Sequence, residues 1–294
     1  MTQTIVQTDA TEFLRAQPEG SLDLVFGSPP YEEARLYLEG GQNLGISRKT
    51  DAWVKWLVEW WSAAQAACKG LVALVVAGQT RSYRWSAGPV LLMAELHRAG
   101  FNLRNPPIYH RAGIPGSGGP DWLKSCYEFV VCTSRPGPLP WSDNTALGHK
   151  PICKAGGAVS YRQLDGTRVN EKPTMQKSVL SGYKDGDTTH RKSQSVVPDL
   201  ANPGNVIYLP SGGGLMGSEL AHENEAPFPE RLAEFFVLSF APPGGTVCDP
   251  FSGSGTTATV CKRHGRNFVG CDLRQSQVDL GLKRLAQETP PLFV

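Results

Sequence analysis

The chain has 294 residues, enough for one large α/β domain with an insertion or for two small domains. Hydrophobic residues make up 40% and charged residues 19%, and the net charge of +2 is too small to indicate a nucleic-acid partner by itself. No secretion signal, membrane-spanning apolar run or Cys-x-x-Cys pair is found. These features predict a cytoplasmic protein with reduced thiols, no membrane partner and no metal site.

Strands and helices alternate in the first third of the chain. Strands are predicted at 4–7, 22–28 and 71–77. Helices are predicted at 51–69, with Asp51 as N-cap and Gly70 as terminator, and at 89–98. This alternation predicts parallel βαβ units with helices on both faces of a sheet. The four tryptophans of the first long helix, at 53, 56, 60 and 61, favour core packing over base stacking.

The middle of the chain differs in character. Short strands at 102–104, 107–109 and 127–132 surround a glycine-rich loop at 113–120, and periodicity is lost from 134 to 203. Between 133 and 197 there are ten Lys and Arg residues against five Asp and Glu, so the positive charge is localised there. Regular structure returns with helices at 228–238, 258–263 and 276–287 and strands at 245–248 and 267–271.

A glycine loop follows the strand at 245–248. Residues 249–257 read Asp-Pro-Phe-Ser-Gly-Ser-Gly-Thr-Thr and lead into a helix, an arrangement that brings backbone N–H groups close to a nucleoside ligand. The acid Asp272 ends the next strand, where a carboxylate can bind ribose hydroxyls. No Lys follows the last glycine, which excludes a phosphate loop, and a dinucleotide site would need a third glycine. A tight turn without a ligand is the remaining alternative.

A second motif, Ser28-Pro29-Pro30-Tyr31, ends an earlier strand. Neither proline has an N–H, so the backbone offers carbonyl acceptors, and Ser28 adds a hydroxyl oxygen. An exocyclic amine has two protons to donate to such acceptors, and the Tyr31 ring offers a stacking face. The motif therefore indicates an amine site, although a Ser-Pro-Pro turn without function is an alternative.

Together the two motifs, in this order, resemble the S-adenosylmethionine-dependent DNA amino-methyltransferases of the β type. The resemblance implies a circularly permuted Rossmann-like α/β fold, a doubly wound, mostly parallel sheet in which the strand of Asp272 lies beside the first strand. It implies a catalytic half at 1–132, a target-recognition insertion at 133–204 and a cofactor-binding half at 205–294. Here His222 precedes Glu-Asn-Glu, whereas the family often has His-Pro at that place.

The resemblance also implies roles for single residues. The catalytic residues would be Ser28, Pro29, Pro30 and Tyr31. Asp272 would hold the ribose, Asp9 would approach the adenine amine, and Phe228 would flank the methionine part. The remaining residues expected to bind S-adenosylmethionine are Ala10, Asp249, Pro250, Phe251, Gly253, Ser254, Gly255 and Thr256.

Ser at the first motif position is typical of enzymes that methylate cytosine N4, whereas Asp is typical of adenine N6 enzymes. Adenine N6 methylation is the nearest alternative, followed by a glutamine methyltransferase acting on proteins and a catalytically silent DNA-binding module. Cytosine C5 methylation is not expected, because the Pro-Cys nucleophile and the associated Glu-Asn-Val are missing, and Cys153 follows Ile152 instead.

Double-stranded DNA is the expected partner, and a cognate restriction enzyme is a candidate second one; the sequence gives no oligomeric state. The basic segment is expected to follow the phosphates and read the bases, because arginine can pair with guanine in the major groove. The residues predicted to contact DNA are Arg135, Arg162, Arg168, Arg191 and Lys192.

Overall fold

The structure is a computed structural model that describes residues 2–33, 37–39, 42–44, 48–112, 120–157, 160–162, 166–170, 197–210, 217–224 and 227–289. It divides into two compact units, one of Met1–Asp143 with Gly204–Val294 and the other of Asn144–Pro203. Nearly all of the predicted loop 113–120, and both Arg191 and Lys192, lie outside the described residues. The functional division expected from the sequence stays a prediction.

The described elements are numbered in chain order. The strands are β1 Gln3–Gln7, β2 Leu22–Gly27, β3 Leu38–Glu39, β4 Gln42–Asn43, β5 Cys68–Val76, β6 Thr80–Arg81, β7 Arg84–Trp85, β8 Asn102–Leu103, β9 Ile108–Ala112, β10 Tyr127–Ser134, β11 Ser160–Arg162, β12 Arg168–Asn170, β13 Val206–Pro210, β14 Thr246–Asp249 and β15 Asn267–Asp272. The helices are α1 Ala10–Arg15, α2 Thr50–Ala67, α3 Gly88–Arg98, α4 Glu230–Phe240, α5 Thr256–Arg263 and α6 Gln275–Gln287, with a 3-10 helix at Glu219–Glu223.

A single large sheet organises the first unit. Its strand order is β1-β15-β14-β2-β5-β10-β9-β13, with β8 paired to β10. Neighbouring strands are parallel along the series β1-β15-β14-β2-β5, and β13 is parallel to β9. Strand β10 runs antiparallel to both β5 and β9. This confirms the predicted α/β class with a mostly parallel sheet. Gln7 lies opposite Asp272, which confirms that the last strand sits beside the first. The circular permutation remains an interpretation of the chain order.

Helices cover both faces of the sheet. One core cluster joins the sheet to α4, α5 and α6, and the other joins it to α1, α2 and α3. Trp53, Trp60 and Trp61 are buried in the second cluster, which confirms core packing as their main role. Burial of this kind contributes about 25 cal/mol for each Å² of apolar surface removed from water.

Two details predicted for the long helix are wrong. Helix α2 begins at Thr50 after Lys49, so Asp51 lies in its first turn and is not the N-cap. The helix ends at Ala67 and passes directly into β5, so Gly70 is a strand residue. A Cβ at Gly70 would lie 1.9 Å from the Asp23 carbonyl oxygen, and this close approach of β2, not helix termination, requires the glycine.

In the second unit, β11 and β12 form an antiparallel pair in which Arg162 lies opposite Arg168. None of the helices in the described ranges is long and apolar enough to cross a membrane. Across the same ranges, no three His, Cys, Asp or Glu side chains gather where they could hold a metal ion.

Candidate active site

A cavity of about 810 Å³ opens at the carboxyl ends of the parallel strands. Its walls include Asp9 after β1, Ser28 after β2, Ala77 after β5, Pro250 after β14 and Asp272 at the end of β15. Open α/β sheets bind ligands at this edge, and the volume is ordinary for a small-molecule site. We call the part formed by the loop between β14 and α5 the glycine-loop end, and the part around Ser28 and Tyr31 the amine end.

At the glycine-loop end, Asp249 shapes the loop from behind. Its side chain is buried, and it accepts hydrogen bonds from the Phe251 N–H (3.0 Å) and the Thr257 hydroxyl (2.7 Å). Burial raises the pKa of the Asp249 carboxyl to about 7, against the lowering effect of these hydrogen bonds. Asp249 thus ties the end of β14 to the first turn of α5.

Arg284 of α6 supports the same loop from the interior. Its guanidinium donates to the Ser254 carbonyl (2.9 Å), the Ser254 hydroxyl (3.0 Å) and the Thr256 hydroxyl (3.1 Å), and it pairs with Glu230 at 2.8 Å. Next to it, Gly255 adopts a φ of +75°, and a Cβ there would lie 2.9 Å from the Gly281 Cα. The loop is therefore held by buried hydrogen bonds and by direct backbone packing on α6.

Two carboxylates face the cavity beside this loop. Asp272 accepts hydrogen bonds from the Gly253 N–H (3.0 Å) and the Arg274 N–H (2.9 Å). Asp9 accepts from the N–H groups of Thr11 (2.8 Å) and Glu12 (3.2 Å) and so caps α1. Both side chains are fixed by local backbone groups at neighbouring strand ends.

An aromatic wall lies between the loop and helix α2. The Phe251 ring, which lines the cavity, is 5.5 Å from the Trp60 ring and 5.9 Å from the Trp56 ring. A nucleoside requires carboxylates that accept hydrogen bonds from its hydroxyl and amine groups, and a flat apolar wall for its base. This end of the cavity has both, and Gly253 has no side chain that would obstruct a ligand. The residues present therefore fit the nucleoside part of S-adenosylmethionine.

The amine end is a chain of hydrogen bonds between distant segments. The Ser28 hydroxyl has two acceptors within hydrogen-bond distance, the Val75 carbonyl of β5 (3.1 Å) and the Tyr31 hydroxyl oxygen (3.3 Å). The Tyr31 hydroxyl donates to Glu128 Oε2 on β10 (2.9 Å). Trp53 of α2 donates its indole N–H to the Pro30 carbonyl (2.8 Å), so that acceptor of the motif is already used.

Glu128 is the last residue in this series of hydrogen bonds, and it also lines the cavity. Its second oxygen, Oε1, pairs with Arg111 of β9 at 2.9 Å, and the side chain is only 10% exposed. Burial raises the pKa of Glu128 above its ordinary value, although Arg111 and the Tyr31 hydroxyl lower it. The pKa of Tyr31 is raised by burial and by the neighbouring Glu128 charge. Tyr31 therefore stays protonated and donates toward Glu128.

Comparison with known families identifies the chain. A family model described as DNA methylase, covering the N6 and N4 amino-methyltransferases, matches residues 22–283. The chain belongs to this family. It is a DNA methyltransferase, and the methyl donor of the family is S-adenosylmethionine.

Individual relatives include enzymes named for different bases. The chain is 40% identical to the type II methyltransferase M.HinfI of Haemophilus influenzae, with 98% of this chain and 69% of that protein covered. It is 24% identical to the DNA adenine methyltransferase YhdJ of Escherichia coli, with 96% and 82% covered. Among solved structures, the cytosine-N4-specific PvuII DNA methyltransferase matches with a TM-score of 0.66 at 18% identity, over 97% of this chain and 86% of that one. A DNA modification methylase of Thermus thermophilus in complex with S-adenosyl-L-methionine matches with a TM-score of 0.57 at 23% identity, over 99% and 96%. At these identities the structural matches concern the fold.

The methyltransferase cavity brings together most of the residues singled out from the sequence. All four residues of the Ser-Pro-Pro-Tyr motif line it. From the expected cofactor set, the cavity walls contain Asp9, Ala10, Phe228, Pro250, Phe251, Gly253, Thr256 and Asp272. Asp249, Ser254 and Gly255 are not among the lining residues; they hold the loop in shape from behind.

The residues predicted to bind DNA are spread out. Arg135 follows Ser134, which pairs with Leu71 near the amino end of β5, so it lies at the edge of the sheet opposite the cavity. There it donates to the Ala66 carbonyl (3.2 Å) and pairs with Glu19 (3.3 Å), a position that does not favour DNA contact. Arg162 and Arg168 lie in the β11–β12 pair, where Arg168 is exposed.

Sequence reasoning missed Glu128, Arg111 and Arg284. A charged residue inside the apolar strand Tyr127–Ser134 was the available signal for Glu128, because such a residue is rarely buried without a partner. Nothing local marked Arg111 or Arg284, since their ion-pair partners lie on other elements, Glu128 on β10 and Glu230 on α4.

Proposed function

We propose that this methyltransferase is site-specific and transfers the methyl group of S-adenosylmethionine to the exocyclic N4 amine of cytosine in double-stranded DNA. The observation that carries this proposal is Ser28, a neutral hydroxyl at the first position of the amine motif. Its oxygen lies at the cavity wall, within 3.3 Å of the Tyr31 hydroxyl oxygen.

The proposed acceptors for the two amine protons are the Ser28 hydroxyl oxygen and the Pro29 carbonyl, because Trp53 occupies the Pro30 carbonyl. The direction of the hydrogen bonds supports this assignment. Ser28 gives its proton to the Val75 carbonyl or to the Tyr31 hydroxyl, and Tyr31 gives its proton to Glu128, so in either case both hydroxyl protons point away from an incoming amine. Each hydroxyl oxygen then has lone pairs to offer to an N–H donor.

We infer that Glu128 is a positioning residue that keeps this direction. An ionised carboxylate is only an acceptor, and the ion pair with Arg111 favours that form of Glu128. A thymine or guanine carbonyl oxygen at the same place would meet acceptors only. The pocket thus selects an amine-bearing base.

The same acceptors would assist the reaction. The amine nitrogen is a poor nucleophile because its lone pair is delocalised into the ring, and the nitrogen gains positive charge as it is methylated. Acceptors already placed on its protons stabilise that charge without reorganisation. When bound, S-adenosylmethionine supplies a methyl group on an electron-poor sulfur for direct in-line transfer. No covalent intermediate with the protein is needed: as the bond from nitrogen to the methyl group forms, the bond from sulfur to it would break and its electron pair would stay on the sulfur, and the charged product amine would give its extra proton to water.

For the cofactor, we propose that Asp272 holds the ribose hydroxyls and Asp9 accepts from the adenine amine, with Phe251 and Gly253 forming the wall. Phe228 would flank the methionine part. Its ring packs edge-on against Phe26 at 5.5 Å and lines the cavity.

The target cytosine must leave the duplex to reach Ser28, which costs a few kcal/mol. We propose that the basic insertion at 133–204 supplies target recognition, with Arg162, Arg168, Arg191 and Lys192 as candidate contacts. By analogy with type II relatives, a cognate restriction enzyme in the same cytoplasm is the expected functional partner.

Adenine N6 methylation is the second candidate, favoured by the relative named as an adenine methyltransferase. The test is to incubate the chain with unmethylated DNA and isotopically labelled S-adenosylmethionine, digest the DNA to nucleosides and separate them by mass. We expect label in N4-methyldeoxycytidine and little or none with Ser28→Ala. Label in N6-methyldeoxyadenosine would overturn the choice of base, and absence of label would overturn the activity.

A further inference from the structure

A short hairpin at the edge of the cavity has a strained backbone conformation at its turn. Strands β6 and β7 pair Thr80 with Trp85 and Arg81 with Arg84, which leaves a turn of two residues. Both turn residues have positive φ, 46° at Ser82 and 63° at Tyr83. Turns of this kind favour Asn-Gly, and a bulky residue in this backbone region is strained.

The Tyr83 side chain gains no packing in return, because it is 84% exposed. Arg84 beside it is also exposed. A strained, exposed aromatic residue next to a cation has no stabilising role in the isolated protein, which points to a partner.

The hairpin is firmly attached to the segment that follows the amine motif. Arg81 pairs with Glu33 at 3.1 Å, and the Ser86 hydroxyl donates to the buried Glu32 carboxylate. At its base, the Trp85 indole lies so close to Gly78 that a Cβ there would be 2.3 Å from its nitrogen. Tyr31, Glu32 and Glu33 are consecutive, so the hairpin and the amine end form one framework.

The position of the hairpin identifies the partner. Thr80, its first residue, and the preceding Gln79 line the cavity that the target base must enter. Whatever carries that base therefore passes the hairpin. A flipped base leaves a gap in the stack of a duplex, and a flat, rigid side chain can fill such a gap while an arginine contacts phosphate.

We propose that this cavity-edge hairpin, residues 80–85, contacts duplex DNA beside the target base, and that the Tyr83 ring stacks in the gap left by the flipped base. The proposal rests on base flipping by this DNA methyltransferase, but not on whether cytosine or adenine is methylated. Stacking contributes about 1–3 kcal/mol per base, which corresponds to a change of roughly 5- to 150-fold in duplex affinity.

Two glycine substitutions test it. Tyr83→Gly removes both the strain and the ring, whereas the matched control Ser82→Gly removes strain at the neighbouring tip position and keeps the ring. Tyr83→Phe keeps the stacking face. The probes are a duplex carrying the site found by methylation sequencing and its isolated target strand, with affinity measured by fluorescence anisotropy and turnover by methyl incorporation.

We expect Tyr83→Gly to keep or raise Tm and to weaken duplex binding about 5- to 150-fold, with single-strand binding unchanged. Ser82→Gly and Tyr83→Phe should bind duplex as the wild type does. Wild-type duplex affinity in Tyr83→Gly, an equal loss on single strands, or a lowered Tm would overturn the proposal. A wild-type protein that fails to methylate the duplex would instead overturn the proposed function.

Discussion

The two ends of the cavity differ in how far apart in the sequence their hydrogen-bonded residues lie. At the glycine-loop end, the bonds from Thr257 to Asp249, from Gly253 to Asp272 and from Arg284 to Ser254 join residues 8, 19 and 30 apart. At the amine end, Tyr31 and Glu128 are 97 apart and Ser28 and Val75 are 47 apart. The glycine loop with Asp272 and Arg284 is thus a local unit, whereas the amine end exists only once β2, β5, β9 and β10 have assembled.

The largest effect is expected from breaking the local unit. Gly255→Ala places a Cβ 2.9 Å from the Gly281 backbone at a φ of +75° and should lower the free energy of unfolding by about 2–5 kcal/mol. Gly244→Ala is the matched control, because Gly244 has a φ of +71° and open space, so its cost should be about 1–2 kcal/mol. Urea unfolding and calorimetric S-adenosylmethionine binding measure both. Equal losses in the two variants would mean that packing on α6 does not hold the loop.

The next effect separates the amine end from the cofactor end. Glu128→Gln weakens the acceptor of the Tyr31 hydroxyl and should lower kcat by roughly 10- to 100-fold, equivalent to about 1.5–3 kcal/mol, with unchanged cofactor affinity. The exposed Glu95→Gln on α3 is the control and should have no effect. A loss of cofactor affinity in Glu128→Gln would show that the two ends are not separate.

The same residue predicts the pH dependence of kcat. Because burial raises the pKa of Glu128, it takes up a proton at a higher pH than an ordinary carboxyl does. Protonated Glu128 can donate to Tyr31 and reverse the hydrogen bonds, so activity should fall as pH decreases through that pKa. Glu128→Gln should lack this acidic limb in a pH–rate profile. If Glu128→Gln keeps the acidic limb, the limb reports the titration of another group.

A smaller effect is expected from the link between α2 and the motif. Trp53→Phe removes the N–H that binds the Pro30 carbonyl and should destabilise the protein by about 0.5–1.5 kcal/mol and change kcat severalfold. Trp61→Phe removes a comparable buried bond, to the Thr133 hydroxyl, and should lower stability similarly while kcat is retained. If both variants keep wild-type kcat, the bond from Trp53 to the Pro30 carbonyl has no part in positioning the motif.

The smallest effect should come from a charge remote from both ends. Arg135→Gln removes a surface pair with Glu19 and should change stability by less than about 1 kcal/mol, with unchanged DNA affinity. Arg168→Gln should reduce the salt dependence of DNA binding by about one counterion if it contacts a phosphate. DNA affinity measured over a range of salt concentrations compares the two. A greater loss in Arg135→Gln would return that residue to the DNA-binding surface.

This comparison also explains what could be predicted from the sequence. The alternating elements, the glycine loop and Asp272 follow from local patterns, and the structure confirms the fold class and the pairing of β1 with β15. Glu128 and Arg284 could not be assigned roles, because the sequence does not show which residues the folded chain brings near them: Tyr31 and Arg111 for Glu128, and Ser254 and Glu230 for Arg284. Gly70 was misread for the same reason, since its constraint comes from Asp23 on another strand.

We propose above that Ser28 lines a pocket that accepts the amine of cytosine from duplex DNA. Sequencing that reads modified bases directly, on DNA from cells that express the wild-type chain or Ser28→Ala, tests it most directly. We expect N4-methylcytosine at one recurring sequence with the wild type and its loss with Ser28→Ala. Modified adenine at a recurring sequence, or N4-methylcytosine that persists in Ser28→Ala, would contradict it.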